Sequence, residues 1–342
     1  MTPQLAPPRR ATPSRRRLAP FSRRLWTWLR PLVGIAILAT LVWRLGTGAF
    51  VAGLRVVDVW SVLAALGIGL LVTVCGAWRW CLVARRVGLA LTLRQAVADC
   101  YRAILLNSVL PAGVLGDVHR AVNHGQQSGD VGRGVRAVVM ERAAGQAVLI
   151  VTGVAVLLTQ PGIMSALVGS VLPGRWSVVV LLCVLAALAM LAAWARWGPS
   201  APAWRRALRT AMADARTGLL SRDTWPGVLA LSIAALAGHV CMFIVAARVA
   251  DSSVPLTRLL PLFVLALLVM GLPINVGGWG PREAFLALAF GAVGLGARQG
   301  VAIAVAYGVL TLIACLPGTA VLFVRRRHRP EPGSEQIVAT DS

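Results

Sequence analysis

The chain has 342 residues, of which 58% are hydrophobic and 13% charged, whereas soluble domains carry roughly 45–50% apolar and about 25% charged residues. Its net charge of +22 comes from 34 basic residues, all arginine, set between long apolar blocks rather than gathered on a polar domain. This composition excludes a soluble enzyme, argues against nucleic-acid binding, and predicts an all-α, polytopic integral membrane protein whose solvent is the bilayer.

Residues 1–30 hold eight Arg and five Pro with no hydrophobic period, and read as a disordered cytoplasmic arm that touches anionic headgroups. The first apolar block has no small-residue cleavage site after it, so it is expected to remain as a span. Six full spans are predicted, over residues 31–48, 60–78, 135–158, 176–197, 228–249 and 301–324. Each is close to the roughly 20 residues that cross the hydrocarbon as a helix. Residues 31–325 thus form one membrane domain, and 326–342 a cytoplasmic tail. Six cysteines (Cys75, Cys81, Cys100, Cys183, Cys241 and Cys315) show no paired spacing and read as small hydrophobes. No disulfide framework, metal site or cofactor is expected.

Two apolar segments, 96–110 and 259–272, are shorter, and each runs into Leu-Pro and then glycine. Proline cannot donate a backbone hydrogen bond, so a helix breaks or kinks there. These segments predict two re-entrant broken-helix hairpins, over about residues 96–120 and 259–297. With the N-terminus in the cytoplasm, segments 1–30, 79–136, 196–222 and 325–329 fall inside and carry 26 of the 34 Arg. The positive-inside rule therefore places both termini in the cytoplasm of a multi-pass protein of the cell membrane.

The two hairpins carry matching motifs. Leu110 and Pro111 are followed by Gly116, Asp117 and Arg120; Leu272 and Pro273 are followed by Asn275, Gly277, Gly278, Gly280, Arg282 and Glu283. In both, a glycine stands five residues after the proline and an arginine nine after it. Three spans separate the hairpins, which predicts an inverted repeat with a binding site near the midplane. Glycines admit a ligand close to the backbone, and exposed helix N-termini favour negative charge. Arg120 and Arg282 would add forks suited to phosphate, with Asp117 and Glu283 as their counter-ions. Glu141 and Arg142, at the head of the third span, add charge close to the membrane, where ionisable groups are costly and usually functional. Asn107 and Asn275 would satisfy freed backbone groups. His119 and His124 lack a metal-binding frame, and His239 reads as a packing residue within its span.

The run from Asn107 through Leu110, Pro111, Gly116 and Asp117 to Arg120, with Glu141 and Arg142 after it, resembles the membrane region of lysylphosphatidylglycerol synthases. So does the later run from Leu272 to Glu283, and the resemblance spans about residues 30–325. This family is often labelled flippase-like. In its two-part members the membrane region resembles a lipid flippase, while a separate soluble domain makes the aminoacyl lipid. That domain is missing here, so the resemblance does not imply aminoacyl transfer. Where the family often has two glycines before the aspartate, this chain has Leu115 and Gly116.

The preferred expectation is a transporter that moves an anionic phospholipid or a polyprenyl-phosphate-linked lipid between leaflets. It binds the anionic headgroup through Asn107, Gly116, Asp117, Arg120, Glu141, Arg142, Asn275, Gly277, Gly278, Gly280, Arg282 and Glu283, and none of them is assigned a catalytic role. The alternative is the membrane subunit of an aminoacyl or glycosyl transferase, with a soluble transferase as partner. A third reading is a scaffold recruiting partners through the Arg-rich arm.

Overall fold

The computed structural model describes residues 58–109, 115–127, 129–171, 221–271 and 279–326. The arm at 1–30, the predicted spans at 31–48 and 176–197, and nearly all of the tail lie outside these residues. Among the described residues the helices are α1 (Val59–Arg86), α2 (Leu93–Val109), α3 (Leu115–Gln127), α4 (Val131–Thr159) and α5 (Pro161–Val171). Then follow α6 (Trp225–Val249), α7 (Leu256–Met270), α8 (Pro281–Ala292), α9 (Ala297–Cys315) and α10 (Pro317–Arg326). Among the described residues, four segments are long and apolar enough to cross a membrane: α1, α4, α6 and Ala297–Val321.

The local chemistry sets the ends. Asp58 starts α1 by accepting from the Ser61 N–H at 2.9 Å, and Asp130 starts α4 by accepting from the Arg133 N–H at 3.0 Å. Those backbone donors hold both carboxyls below the usual carboxylate range. Helix α8 opens on Gly280, whose φ of 109° needs a glycine. Pro281 sits at its first position, and Glu283 Oε2 reaches back to accept from the Gly280 N–H at 2.7 Å.

Two expected boundaries move, for physical reasons. The span predicted to end at Trp78 continues to Arg86, because Arg79 finds a buried carboxylate partner and need not leave the helix. The last span, expected at 301–324, divides where Pro317 starts a new helix, α10.

Packing follows a repeated scheme. The order span, shorter helix, shorter helix, span occurs twice, as α1 to α4 and as α6 to α9. The contacts repeat with it: α2 packs on α3 as α7 does on α8, and α3 on α4 as α8 on α9. Between the halves, α1 packs on α9 as α6 does on α4, and the two leading spans α1 and α6 lie against each other. Arg86, near the C-terminal end of α1, reaches Asp223 at 3.2 Å and Thr224 at 2.7 Å, just before α6 begins. The leading spans therefore run antiparallel.

Because lipid tails are as apolar as leucine, close approach rather than water exclusion holds such helices together. Small residues supply it. A Cβ at Gly69 would lie 2.5 Å from the Ala314 Cβ, and one at Gly116 would run into the Ala103 backbone. The central core stacks Phe243 on Phe263 at 4.8 Å and on Tyr307 at 3.8 Å between ring centres. By contrast, much of the apolar C-terminal part of α4 is exposed or half-buried, with Ile150, Val151, Val154 and Leu158 exposed.

Candidate functional site

In the first half, the break between α2 and α3 is held by Asn107. Its Oδ1 accepts from the Gly116 N–H at 2.8 Å, while its Nδ2 donates to Asp117 Oδ2 at 3.1 Å. One amide thus satisfies a freed backbone donor and aims a carboxylate. Asp117 meets Arg142 Nη2 at 2.7 Å and lies 2.9 Å from Arg120 Nε. Arg120 Nη2 then reaches Glu141 Oε2 at 2.7 Å. The other oxygen of Glu141 is taken by Arg79 of α1, whose Nη1 donates in turn to Ser232 of α6 at 3.0 Å. Arg120 also lies over the Trp80 ring, 4.8 Å from its centre.

This network ties α1, α2, α3, α4 and α6 into one polar core. Arg120 and Glu141 are each 3% exposed. Three guanidiniums (Arg79, Arg120, Arg142) face two carboxylates (Asp117, Glu141), leaving one positive charge in excess. That excess has one outlet, since the Arg142 side chain is 55% exposed while the others are buried or nearly so. Gly145 leaves room for the Arg79 head: a Cβ there would lie 2.9 Å from its Nη2.

The second half uses the same residue types to a different end. Arg282 Nε donates to Glu283 Oε1 at 2.9 Å, and its Nη2 binds the same oxygen. Arg282 is 2% exposed and Glu283 fully buried. The guanidinium lies 5.2 Å from the Trp279 ring centre and 5.1 Å from that of Tyr307 on α9. Gly308 leaves space beside it, where a Cβ would collide with the Arg282 head and the Trp279 ring. Here charge is matched one to one and sealed by aromatic faces.

Residues 27–318 match the family described as the lysylphosphatidylglycerol synthase TM region. The chain belongs to this family. It matches no curated protein and no solved structure.

Within this lysylphosphatidylglycerol synthase membrane domain, Asn107, Gly116, Asp117, Arg120, Glu141 and Arg142 meet in the first network, and Gly280, Arg282 and Glu283 in the second. Asn275, Gly277 and Gly278 lie outside the described residues. Glu141 and Arg142 do not pair with each other; each turns to a different residue of α3. Arg120 and Arg282 each engage carboxylates of their own half, and among the described residues no ion pair or hydrogen bond joins the two arginines.

Sequence reasoning missed Arg79, Ser232, Trp279 and Tyr307. Arg79 was counted only as a topology signal, although apolar residues flank it on both sides, the pattern of an arginine inside the membrane. Tyr307, one of two tyrosines in the chain, stands in an apolar run where its hydroxyl needs a partner.

Proposed function

We propose that this protein is a lipid transporter that moves an anionic phospholipid or polyprenyl-phosphate-linked lipid between leaflets. It does so in the cell membrane, with both termini in the cytoplasm. The observation that carries the reading is the accessible guanidinium of Arg142, standing on a buried network with one positive charge in excess. An anionic headgroup at that guanidinium cancels the excess while its acyl chains stay in the bilayer. Arg142 offers the fork geometry suited to a phosphate. Asp117 and Asn107 aim it, and Arg120, Glu141 and Arg79 hold the surrounding helices in register.

The sequence reading gave the phosphate to Arg120 and Arg282. Because those arginines engage Glu141, Asp117 and Glu283, our reading gives the direct contact to Arg142. Arg282, Glu283 and Gly280 fix the start of α8. The antiparallel leading spans and the repeated packing support an inverted repeat. The distribution of arginine supports the orientation.

The test is reconstitution of the purified chain in vesicles carrying fluorescent anionic phospholipid in one leaflet. Movement faster than in empty vesicles is expected, with Arg142→Ala reducing it at least tenfold. Rates equal to those of empty vesicles for every anionic lipid would overturn the reading. Transfer activity appearing only with an added soluble transferase would replace it with the membrane-subunit alternative.

A further inference from the structure

One face of α6 touches both charged centres. Ser232 accepts from Arg79 of the first network, and His239, seven residues on, has its Nδ1 3.1 Å from the Tyr307 hydroxyl. Seven residues are about two turns, so the two contacts share a face and stand on the order of 10 Å apart. Tyr307 carries Arg282 over its ring. His239 is therefore a polar group between the two charged centres, in the middle of a span read as membrane-embedded.

The imidazole also borders a cavity of about 60 Å³, lined with Thr73, Ile104, Gly238, Thr311 and Cys315. Ile68, Val72, Met242 and Ala314 complete a mostly apolar lining, and the Thr73 and Thr311 hydroxyls donate to the Gly69 and Tyr307 carbonyls. The titratable and charged groups around the ring come from each packed helix. Arg79 of α1 and Arg142 of α4 lie within electrostatic range, and Tyr307 and Cys315 of α9 flank it, with Arg282 behind the tyrosine. Tyr101 of α2 stands behind Thr73. Among these groups Arg79 is held by Glu141, so the uncancelled charge is that of the Arg142 network.

We propose that His239 is a proton-binding site coupled to the headgroup site at Arg142, so that an anionic lipid and a proton are taken up together. This rests on the transport reading above. A proton on the ring adds positive charge to a region that already has one in excess; an anion at Arg142 removes that repulsion. Each ligand then favours the other by the same factor, because the coupling is reciprocal. With both ring nitrogens protonated, Nδ1 donates to the Tyr307 oxygen, which carries the change to the residue packed on Arg282. The proton comes from water as the headgroup enters and returns to water as it leaves.

Calorimetric titration of the full-length wild-type chain in detergent with dioctanoyl phosphatidylglycerol, in two buffers of different ionisation enthalpy, reads proton uptake directly. Net uptake on binding is expected, with affinity at least about fivefold tighter at pH 5 than at pH 8. His239→Gln should keep binding but lose both the uptake and the pH dependence. Tyr307→Phe should shift the midpoint of the pH profile. Binding without proton uptake in the wild type would overturn the coupling, as would unchanged uptake in His239→Gln. If the wild type neither binds nor moves anionic lipid, the transport reading falls first and the coupling with it. The wild-type uptake decides the matter even if the histidine variant does not fold.

Discussion

Arg120 and Arg282 stand at the same place in their motifs, nine residues after proline, yet their surroundings differ in kind. Arg120 joins a branched network of three guanidiniums and two carboxylates that reaches the surface at Arg142. Arg282 is closed off with Glu283 between Trp279 and Tyr307. The following span contributes Glu141 to one arginine and Tyr307 to the other. A carboxylate on that span recruits a second arginine, Arg79, and the adjacent Arg142 brings the positive charge in excess; an aromatic ring in the other half completes a neutral pair. The difference is between a half whose buried charges reach the surface and a half whose ion pair is sealed within the fold.

The largest effect should come from Glu141→Ala. It leaves Arg79 and Arg120 buried without their shared carboxylate, and loss of one partner of a buried pair costs about 3–5 kcal/mol. A strong fall of the thermal midpoint in detergent is expected; an unchanged midpoint would show that the network is not what joins these helices. The second half should respond differently when its pair is neutralised together. Arg282→Ala alone is expected to be severe, because Glu283 is left unpaired. Arg282→Met combined with Glu283→Gln keeps the Gly280 cap and should be neutral within about 1 kcal/mol. Failure of the double variant to fold would mean that the ion pair itself, not its burial, holds α8.

Smaller effects should be shared by both halves. Gly116→Ala and Gly300→Ala push a methyl group into the backbones of Ala103 and Leu286, and each should cost about 1–3 kcal/mol by overpacking. If Gly116→Ala were tolerated, α3 would have to sit farther from α2 than it does. Smallest is the cap at Asp130. Its carboxyl is held low by the Arg133 N–H, so its contribution is present above the ordinary carboxylate range and lost as pH falls through its own lowered value. Asp130→Asn should flatten that acid limb slightly; an identical acid limb would show that the cap contributes nothing.

Much of this was legible from residue order, because a bilayer imposes simple rules. The four spans among the described residues followed from apolar length. The motif residues were legible too, because charge and glycine at such a place are conspicuous. What stayed hidden was pairing. Asp117 and Glu141 both stand within reach of arginines in sequence, but which carboxylate meets which guanidinium depends on how α1, α3 and α4 cross. Arg79 was hidden for the same reason: its partner is 62 residues away on another helix. That Arg120 is engaged on two sides, by Asp117 and Glu141, was likewise invisible in residue order.

The most direct measurement is lipid movement in reconstituted vesicles for wild type, Arg142→Gln, and the Arg282→Met with Glu283→Gln pair, compared in one preparation. Wild type and the double variant should move anionic lipid at similar rates, and Arg142→Gln should fall at least tenfold while remaining folded. Full activity in Arg142→Gln, with loss only in the folded double variant, would contradict the placement of the headgroup and move the site to the second half.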